Sequence, residues 1–501
     1  MKQAESQKGR DIIYLLAIFA LSIFLRVYNV ANRMPWWGDH ARDIMVGTHI
    51  SQFGELPTVG HSSIGLGGTL HYPPWYFYLV SAVTRISPDA EFIGQFFAIL
   101  SATTLFGVFF IARSLFSRTT AFIAAALFSL SSSLVGKSYL WSAYVVVPFV
   151  SIGVACVLSG IHGKYFWKIV GYLLLVFSSS IHLSALFVLA FVFIIDNIFI
   201  DRRRAVITLS VVLLSVGITF YPTFVRYQPS YIFEILFESF KKPFFYELIV
   251  RMIQIGKMVF TDLFDYNARF LQIGMVAVGV AFILGLKGYR RNLCAIFCLS
   301  FFVITLFIIG SLINSGDQYV HFYIVALPVL TILLSVVVAA AIESANNIDA
   351  KVMAWITTVL LFVAMVNGFY HTLYSGSMYR HAKQVSLVIQ DTAQEMGFGN
   401  AYLIAASSQS SSWSWESPTI LYFLEKQGKR TTLVDYDNNL RQYKEDESTP
   451  WFVVCRDYSP ELLSACIEKF TKGSGKPFHL REITVSLSEY RLFIASPNKE
   501  P

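Results

Sequence analysis

The chain has 501 residues, of which 55% are hydrophobic and only 14% are charged, and its formal net charge is +7. Soluble domains carry about 25% charged residues, so this composition excludes an ordinary soluble protein and indicates one that crosses a membrane many times. The positive charge does not indicate nucleic-acid binding, because most basic residues fall in short loops between apolar runs.

Apolar runs of about 20 residues predict membrane-spanning helices. Eleven such runs are predicted as spans, at 12–30, 91–112, 119–136, 143–160, 166–181, 183–200, 205–225, 270–286, 293–313, 321–341 and 352–371. A shorter run at 73–86, PPWYFYLVSAVTRI, begins with two prolines and contains an arginine near its end. Its length favours an interfacial or re-entrant helix over a span.

Lysine and arginine indicate which loops face the cytoplasm, because cytoplasmic loops carry an excess of both. With the N-terminus inside and 73–86 not crossing, every inner loop is basic, as at the three arginines of 202–204. This predicts a multi-pass protein of the plasma (inner) membrane with a cytoplasmic N-terminus. The outer face then carries residues 31–90, the loop 226–269 and everything after about 372.

The last part of the chain changes character. NAYLIAA and WFVVCRD are typical of short strands, SPTILYFLEKQ and SPELLSACIEKF of helices, and REITVSLSEYRLFIAS of a hairpin. The alternation predicts a small extracytoplasmic α/β domain at 373–501, after a transmembrane domain at 1–372 with long outer loops at 31–90 and 226–269. The predicted fold class is a polytopic α-helical membrane protein with about 11 transmembrane helices and a small C-terminal extracytoplasmic α/β domain.

The segment MPWWGDHARDIM, at 34–45, places ionisable side chains beside a tryptophan pair in the first outer loop. Asp39 is the first candidate for a general base, and Asp43 competes with it. His40 could orient a substrate, and Arg42 could pair with either carboxylate. The structural alternative is a solvated helix start with aspartate at its N-cap.

Further polar side chains lie at the outer ends of the predicted spans, where ionisable groups are costly and usually mark function. The candidates for substrate binding are Arg42, His71, Tyr72, Lys137, His182, Arg226, Arg269, Tyr319 and His321. A cavity of this kind suits a substrate with an anionic head and a lipid tail, because arginine or lysine holds phosphate. No metal site is predicted and no cofactor is certain, although a divalent metal gathered by His40, His71 and Asp43 stays an alternative.

The segment WWGDHARD, at 36–43, resembles the acidic motif of GT-C glycosyltransferases related to protein O-mannosyltransferases and aminoarabinose transferases. Segments that resemble the same family follow in order: GHSSIGLGGTLHYPPWYFYLV, LWSAYVVVPF, SSSIHLSALFVLA and YVHFYIVALPVL. The resemblance covers roughly residues 12–370. It implies a GT-C fold, a polyprenyl-phosphate-linked sugar donor, transfer on the outer face of the membrane, and Asp39 as catalytic base.

The chain also departs from the family pattern. His40 replaces the usual glutamate or glutamine, Gln95 stands where several relatives carry arginine, and Lys137 stands where some carry an acidic residue. The residue that binds the donor phosphate is therefore open among Arg226, Lys137 and Arg269, in that order.

The predicted function is an integral-membrane glycosyltransferase that moves a hexose or pentose from a polyprenyl-phosphate-linked donor to an acceptor hydroxyl, with inversion. The acceptor is a glycan, lipid or protein of the cell envelope, such as lipopolysaccharide or cell-wall glycan, and membrane lipids surround the spans. A lipid-linked glycan ligase or polymerase shares the donor type and stays an alternative. A lipid or sugar transporter fits less well, because transporters place ionisable groups near the membrane midplane.

Overall fold

The computed structural model describes helices between residues 2 and 424 and five strands near the C-terminus. The described residues are 2–34, 38–61, 71–139, 142–162, 165–198, 202–226, 250, 254, 276–281, 293–312, 320–344, 348–366, 378–396, 401–406, 422–424, 431–433, 451–456, 478–483 and 490–497. Internal contacts divide the chain into two compact units. The first comprises Met1–Val30 and Phe53–Tyr374, and the second comprises Ala31–Gln52 and Ser375–Pro501.

Helices dominate the described residues. In chain order they are α1 (Lys2–Val27), α2 (Val30–Arg33), α3 (Gly38–Phe53), α4 (Trp75–Thr84), α5 (Ala90–Ala102), α6 (Thr104–Leu115), α7 (Arg118–Leu130), α8 (Ser132–Gly136), α9 (Ser142–His162), α10 (Tyr165–Ile181), α11 (Leu183–Ile198), α12 (Arg202–Arg226), α13 (Leu293–Leu312), α14 (Val320–Ser344), α15 (Ile348–Val366) and α16 (Met378–Glu395). Apart from α2, α3 and α16, these helices lie in the first unit. Most of the predicted apolar runs are therefore helical.

Several helices of the first unit suit a bilayer. Within the described residues, four stretches are long and apolar enough to cross a membrane: Ala90–Leu115, Tyr144–Ile161, Val206–Thr223 and Ile324–Ser344. Five shorter apolar helices accompany them: Arg118–Leu130, Tyr165–Ile181, Leu183–Asn197, Leu293–Ile308 and Lys351–Val366. The count of eleven spans stays a prediction, and most of the run at 270–286 lies outside the described residues.

Helix α4 occupies the segment predicted to be interfacial or re-entrant. It has 10 residues. At about 1.5 Å per residue its length is about 15 Å, half of what a hydrocarbon core of about 30 Å requires. It is therefore too short to cross the membrane by itself.

Helices α9 and α10 pack backbone against backbone. A Cβ atom added to Gly171 would lie 2.5 Å from the carbonyl oxygen of Gly153, and one added to Gly160 would lie 2.6 Å from the backbone nitrogen of Lys168. Small residues allow membrane helices to approach this closely. The same device brings α6 against α9, where a Cβ on Gly107 would lie 2.5 Å from the carbonyl carbon of Ser151.

We expect Gly171→Ala to destabilise the protein by about 1–3 kcal/mol, the usual cost of overpacking a tight contact. Alanine improves helix propensity, so any loss of stability must come from the collision with α9. Gly217→Ala on α12 is the matched control, since nothing lies within 4 Å of its added Cβ. Thermal unfolding in detergent measures both variants, and equal melting temperatures would contradict the close packing.

Helices α1 and α7 lie side by side and run in the same direction. Asp11, in the first half of α1, forms an ion pair with Arg118 at the start of α7. Near their C-terminal ends, the fully buried Arg26 donates hydrogen bonds to the carbonyl oxygens of Phe128 at 3.2 Å and Ser129 at 3.4 Å. A guanidinium is favourable there, because the last carbonyls of a helix carry partial negative charge. The arrangement agrees with predicted first and third spans that cross in the same direction.

Helices α10 and α11 form an antiparallel pair that is fastened by a buried ion pair. The Nζ of Lys168, near the start of α10, lies 2.8 Å from Oδ1 of Asp196, near the end of α11. The Tyr172 hydroxyl donates to Oδ2 of the same carboxylate at 2.7 Å. Helix α12 joins this end through the hydroxyls of Tyr165 and Thr208, which are 2.7 Å apart. The polar network ties three helices together at their Lys168 end.

The second unit contains a mixed five-stranded sheet. Its strands are β1 (Ala401–Ala406), β2 (Thr431–Leu433), β3 (Trp451–Arg456), β4 (Phe478–Ile483) and β5 (Tyr490–Pro497). Their spatial order is β2-β1-β3-β5-β4. Strand β1 is parallel to β2 and β3, whereas β5 is antiparallel to β3 and β4.

Buried apolar side chains hold this unit together. They include Phe452 on β3, Leu492 and Ile494 on β5, and Val385 and Ile389 on α16. The strands within NAYLIAA and WFVVCRD and the C-terminal hairpin are present, while the helix expected at SPELLSACIEKF lies outside the described residues. A domain boundary at 372 and an extracytoplasmic location stay predictions.

Candidate functional site

The first two turns of α3 carry two carboxylates bridged by one guanidinium. The Nη1 atom of Arg42 lies 2.6 Å from Oδ1 of Asp39. Its Nε and Nη2 atoms donate to Oδ1 of Asp43 at 2.9 and 2.6 Å. Residues three and four apart on a helix are neighbours, so GDHARD places both acids on one face. Acidic side chains are also favoured at the N-terminus of a helix by its dipole.

The two carboxylates differ in access. The side chain of Asp39 is 19% exposed, whereas that of Asp43 is 2% exposed. A general base must come within hydrogen-bond distance of the proton it removes. Exposure therefore favours Asp39 over Asp43 as the group that meets a substrate. His40, which follows Asp39, is buried, and Trp36 and Trp37 lie outside the described residues.

A second polar cluster lies in the first unit, where the chain folds back before α4. The backbone N–H of Gly60 donates to the carbonyl of Tyr72 at 2.7 Å, and that of Tyr72 donates to the carbonyl of His61 at 3.0 Å. A Cβ at position 60 would collide with the carbonyl of Pro73, so glycine is required there. The bridge brings His61 next to Tyr72, which directly follows His71.

Three rings gather at this bridge. The rings of His61 and Tyr72 are stacked, with centroids 4.6 Å apart and planes 29° apart. The rings of Tyr72 and His182 are also nearly parallel, 6.2 Å apart at 17°. The Tyr72 hydroxyl accepts a hydrogen bond from the N–H of Leu183 at 3.3 Å. We call His61, Tyr72 and His182 the ring cluster.

Helix α4 is anchored beside the ring cluster by two hydrogen bonds. The indole N–H of Trp75 donates to the carbonyl of Thr219 on α12 at 2.8 Å. The Tyr78 hydroxyl donates to the carbonyl of Pro57 at 2.8 Å, and burial raises the pKa of this phenol above its ordinary value. These two bonds tie α4 to α12 and to the backbone at Pro57.

The structure thus brings together His71, Tyr72 and His182 among the predicted substrate-binding residues. His61 belongs with them and was missed, although a second histidine across a glycine-rich segment is a detectable signal. Lys137 follows α8 and is half-buried, and Arg226 is the exposed last residue of α12.

The last three predicted substrate-binding residues follow α12 in the chain. His321 lies on the first turn of α14, while Arg269 and Tyr319 fall outside the described residues. Across the parts of the chain that are described, no group of three or more His, Cys, Asp or Glu side chains could hold a metal ion.

No protein-family model matches the sequence, and no curated protein matches it. Solved structures do match. The chain is similar over 98% of its length to apo ArnT from Cupriavidus metallidurans, with a TM-score of 0.59, 14% identity and 98% of that chain covered. It is also similar to the oligosaccharyltransferase AglB from Archaeoglobus fulgidus in complex with an inhibitory peptide and a dolichol-phosphate. That match covers 98% of this chain and 75% of AglB, with a TM-score of 0.55 and 10% identity. Both are GT-C glycosyltransferases. The chain has the GT-C fold.

Two further comparisons agree with the GT-C fold. ArnT bound to undecaprenyl phosphate matches over 97% of both chains, with a TM-score of 0.58 and 13% identity. The arabinofuranosyltransferase AftD from Mycobacteria matches 97% of this chain but 40% of its own, with a TM-score of 0.54 and 13% identity. The fold that was expected from the GDHARD motif and its neighbours is confirmed.

Proposed function

We propose that the chain is an integral-membrane glycosyltransferase that uses a polyprenyl-phosphate-linked sugar as donor. The observation that carries the proposal is a GT-C fold shared along nearly the whole chain with ArnT and AglB. Structures of those two proteins contain undecaprenyl phosphate and dolichol-phosphate. A fold by itself hosts many activities, so the residues of α3 supply the second support.

Asp39 is the proposed general base. Arg42 contacts its Oδ1 atom, which fixes the carboxylate and leaves Oδ2 as the oxygen that accepts the proton. As the acceptor hydroxyl loses its proton, its oxygen attacks the anomeric carbon of the sugar. The bond from that carbon to the phosphate oxygen breaks, and polyprenyl phosphate leaves with the bonding electron pair. A single displacement of this kind inverts the anomeric centre.

The leaving phosphate requires a cation to stabilise its developing charge. Arg226 is the first candidate, since it is exposed at the end of α12 and a guanidinium can hold phosphate with two hydrogen bonds. Lys137 and Arg269 follow. His71, Tyr72, Tyr319 and His321 are proposed to contact the sugar or the phosphate.

The reaction is proposed to take place on the outer face of a plasma (inner) membrane. The distribution of lysine and arginine supports a cytoplasmic N-terminus, with residues 31–90, 226–269 and those after about 372 on the outer face. The shared direction of α1 and α7 supports the same path, because two spans separated by one crossing must run in parallel.

A lipid-linked glycan ligase is the second candidate. AglB, which is an oligosaccharyltransferase, shares the fold along 98% of this chain. The two candidates differ in the donor, which is a single sugar on polyprenyl phosphate for the first and an assembled glycan for the second.

The test supplies the purified full-length protein with two sets of donors and a mixed pool of hydroxyl acceptors. One set carries a hexose or pentose on polyprenyl phosphate, and the other carries an oligosaccharide on polyprenyl diphosphate. Release of polyprenyl phosphate from the first set would support the proposal. Release of polyprenyl diphosphate from the second set alone would favour the ligase, and release of neither lipid by folded protein would contradict both candidates.

A further inference from the structure

The junction between α10 and α11 is built around a histidine. Helix α10 ends at Ile181 and α11 begins at Leu183, so His182 is the N-cap residue of α11. The first N–H groups of any helix lack partners within that helix. Here Leu183, Ser184 and Ala185 supply those N–H groups, and the one on Ala185 donates to the carbonyl of His182 at 3.1 Å.

The other two N–H groups are satisfied by side chains. The N–H of Ser184 donates to Nδ1 of His182 at 3.3 Å, and the hydroxyl of Ser184 lies 2.8 Å from the same nitrogen. A backbone N–H can only donate, so Nδ1 must be the acceptor. The imidazole is therefore neutral, with its proton on Nε2. The N–H of Leu183 donates to the hydroxyl oxygen of Tyr72.

Tyr72 is thus held by two kinds of contact. Its hydroxyl oxygen is fixed by the N-terminus of α11, and its ring is stacked near His182 and against His61. The stacking is effective only while the imidazole of His182 keeps its orientation. Its Nδ1 contact with Ser184 sets that orientation.

We infer that His182 is a positioning residue that acts through Tyr72 and does not itself contact the donor. As a neutral imidazole it caps α11 through Nδ1 and holds the ring of Tyr72 in place to meet the lipid-linked sugar. The effect of His182 on the donor rests on the proposed function, whereas the N-cap contributes to stability whatever the protein's activity is. It replaces the expectation that His182 is one more substrate ligand.

Two near-isosteric substitutions separate the cap from direct contact with the donor. His182→Asn places an oxygen near the position of Nδ1, and asparagine is among the best N-cap residues. His182→Gln places its polar group near the position of Nε2 instead. Both remove the ring to the same extent, so the difference between them reports on which nitrogen matters.

The measurements are the melting temperature in detergent and the KM and kcat for the donor. We expect His182→Asn to melt close to wild type. His182→Gln should melt at a lower temperature than His182→Asn. Its KM should be about fivefold higher, the change in affinity that corresponds to the loss of one N-cap hydrogen bond, and its kcat should change little. A Gln variant that equals or exceeds the Asn variant in melting temperature and KM would overturn the inference, since contact through Nε2 would then be the important one.

A double-substitution cycle tests the route through Tyr72. In a Tyr72→Ala background, the effect of His182→Gln on KM should disappear, because there is no ring left to position. Additive effects on KM would contradict the inference. If the wild type turned over no donor, the proposed function would fail, and the melting order of the Asn and Gln variants would still support or overturn the cap.

Discussion

Asp39→Asn is expected to lower the rate of sugar transfer by about 100- to 10,000-fold, the usual contribution of a general base. Asparagine keeps the shape of the side chain and can still accept a hydrogen bond from Arg42. It cannot take up the proton of the acceptor hydroxyl. The KM for the donor should therefore change little, and the loss should appear in kcat when release of polyprenyl phosphate is followed.

Two variants control this experiment. Asp391→Asn makes the same change at an exposed carboxylate of α16 in the same compact unit, and it should keep full activity. Asp43→Asn removes the buried partner of Arg42, so it should reduce stability more than kcat. Full activity in Asp39→Asn together with inactive, folded Asp43→Asn would transfer the role of base to Asp43.

Lys168→Met is expected to lower the free energy of unfolding by about 3–5 kcal/mol, because it leaves the buried carboxylate of Asp196 without its cation. Methionine preserves the length and apolar stem of lysine, so little packing is lost with the charge. Denaturant or thermal unfolding in detergent measures the effect. Lys351→Met, at an exposed lysine on α15, is the control and should be nearly neutral.

Removing the charge of Asp196 as well as that of Lys168 should restore the free energy of unfolding. In the double variant Lys168→Met with Asp196→Asn, no charge is buried and the asparagine can still accept the hydrogen bond from Tyr172. We expect it to regain most of the stability lost in Lys168→Met, because a neutral pair avoids the desolvation cost. A double variant no more stable than the single one would argue against the ion pair as the source of the effect.

The helices could be predicted from sequence because long apolar runs and basic loops are local signals. The partners of those helices could not. Helix α1 packs along α7, more than 100 residues away, through Asp11 and Arg26, and nothing in the sequence near either residue specifies α7. Similarly, residues 31–52 follow the first predicted span directly, yet their contacts lie in the unit that holds the C-terminal sheet.

The candidate site shows the same division. GDHARD revealed both carboxylates, but their spacing puts them on one face, so only the fold shows that Asp39 is the more exposed of the two. His61 was missed because its place beside Tyr72 depends on the backbone bridge at Gly60. His182 was recognised as polar and near a helix end, whereas its role as an N-cap depends on the one-residue break between α10 and α11.

The pairing of α1 with α7 also sets an order of events during synthesis. Arg118 follows Asp11 by 107 residues, and at about 5–20 residues per second the ribosome needs about 5–20 s to make that stretch. During this interval Arg26 is already made, before the carbonyl groups that receive it exist. Helix α1 is therefore made before α7, and its polar side chains are without their α7 partners during that interval. A nascent chain that stops before Arg118 lacks the α7 partners of both Asp11 and Arg26, so apolar side chains alone would keep its first helix in the membrane.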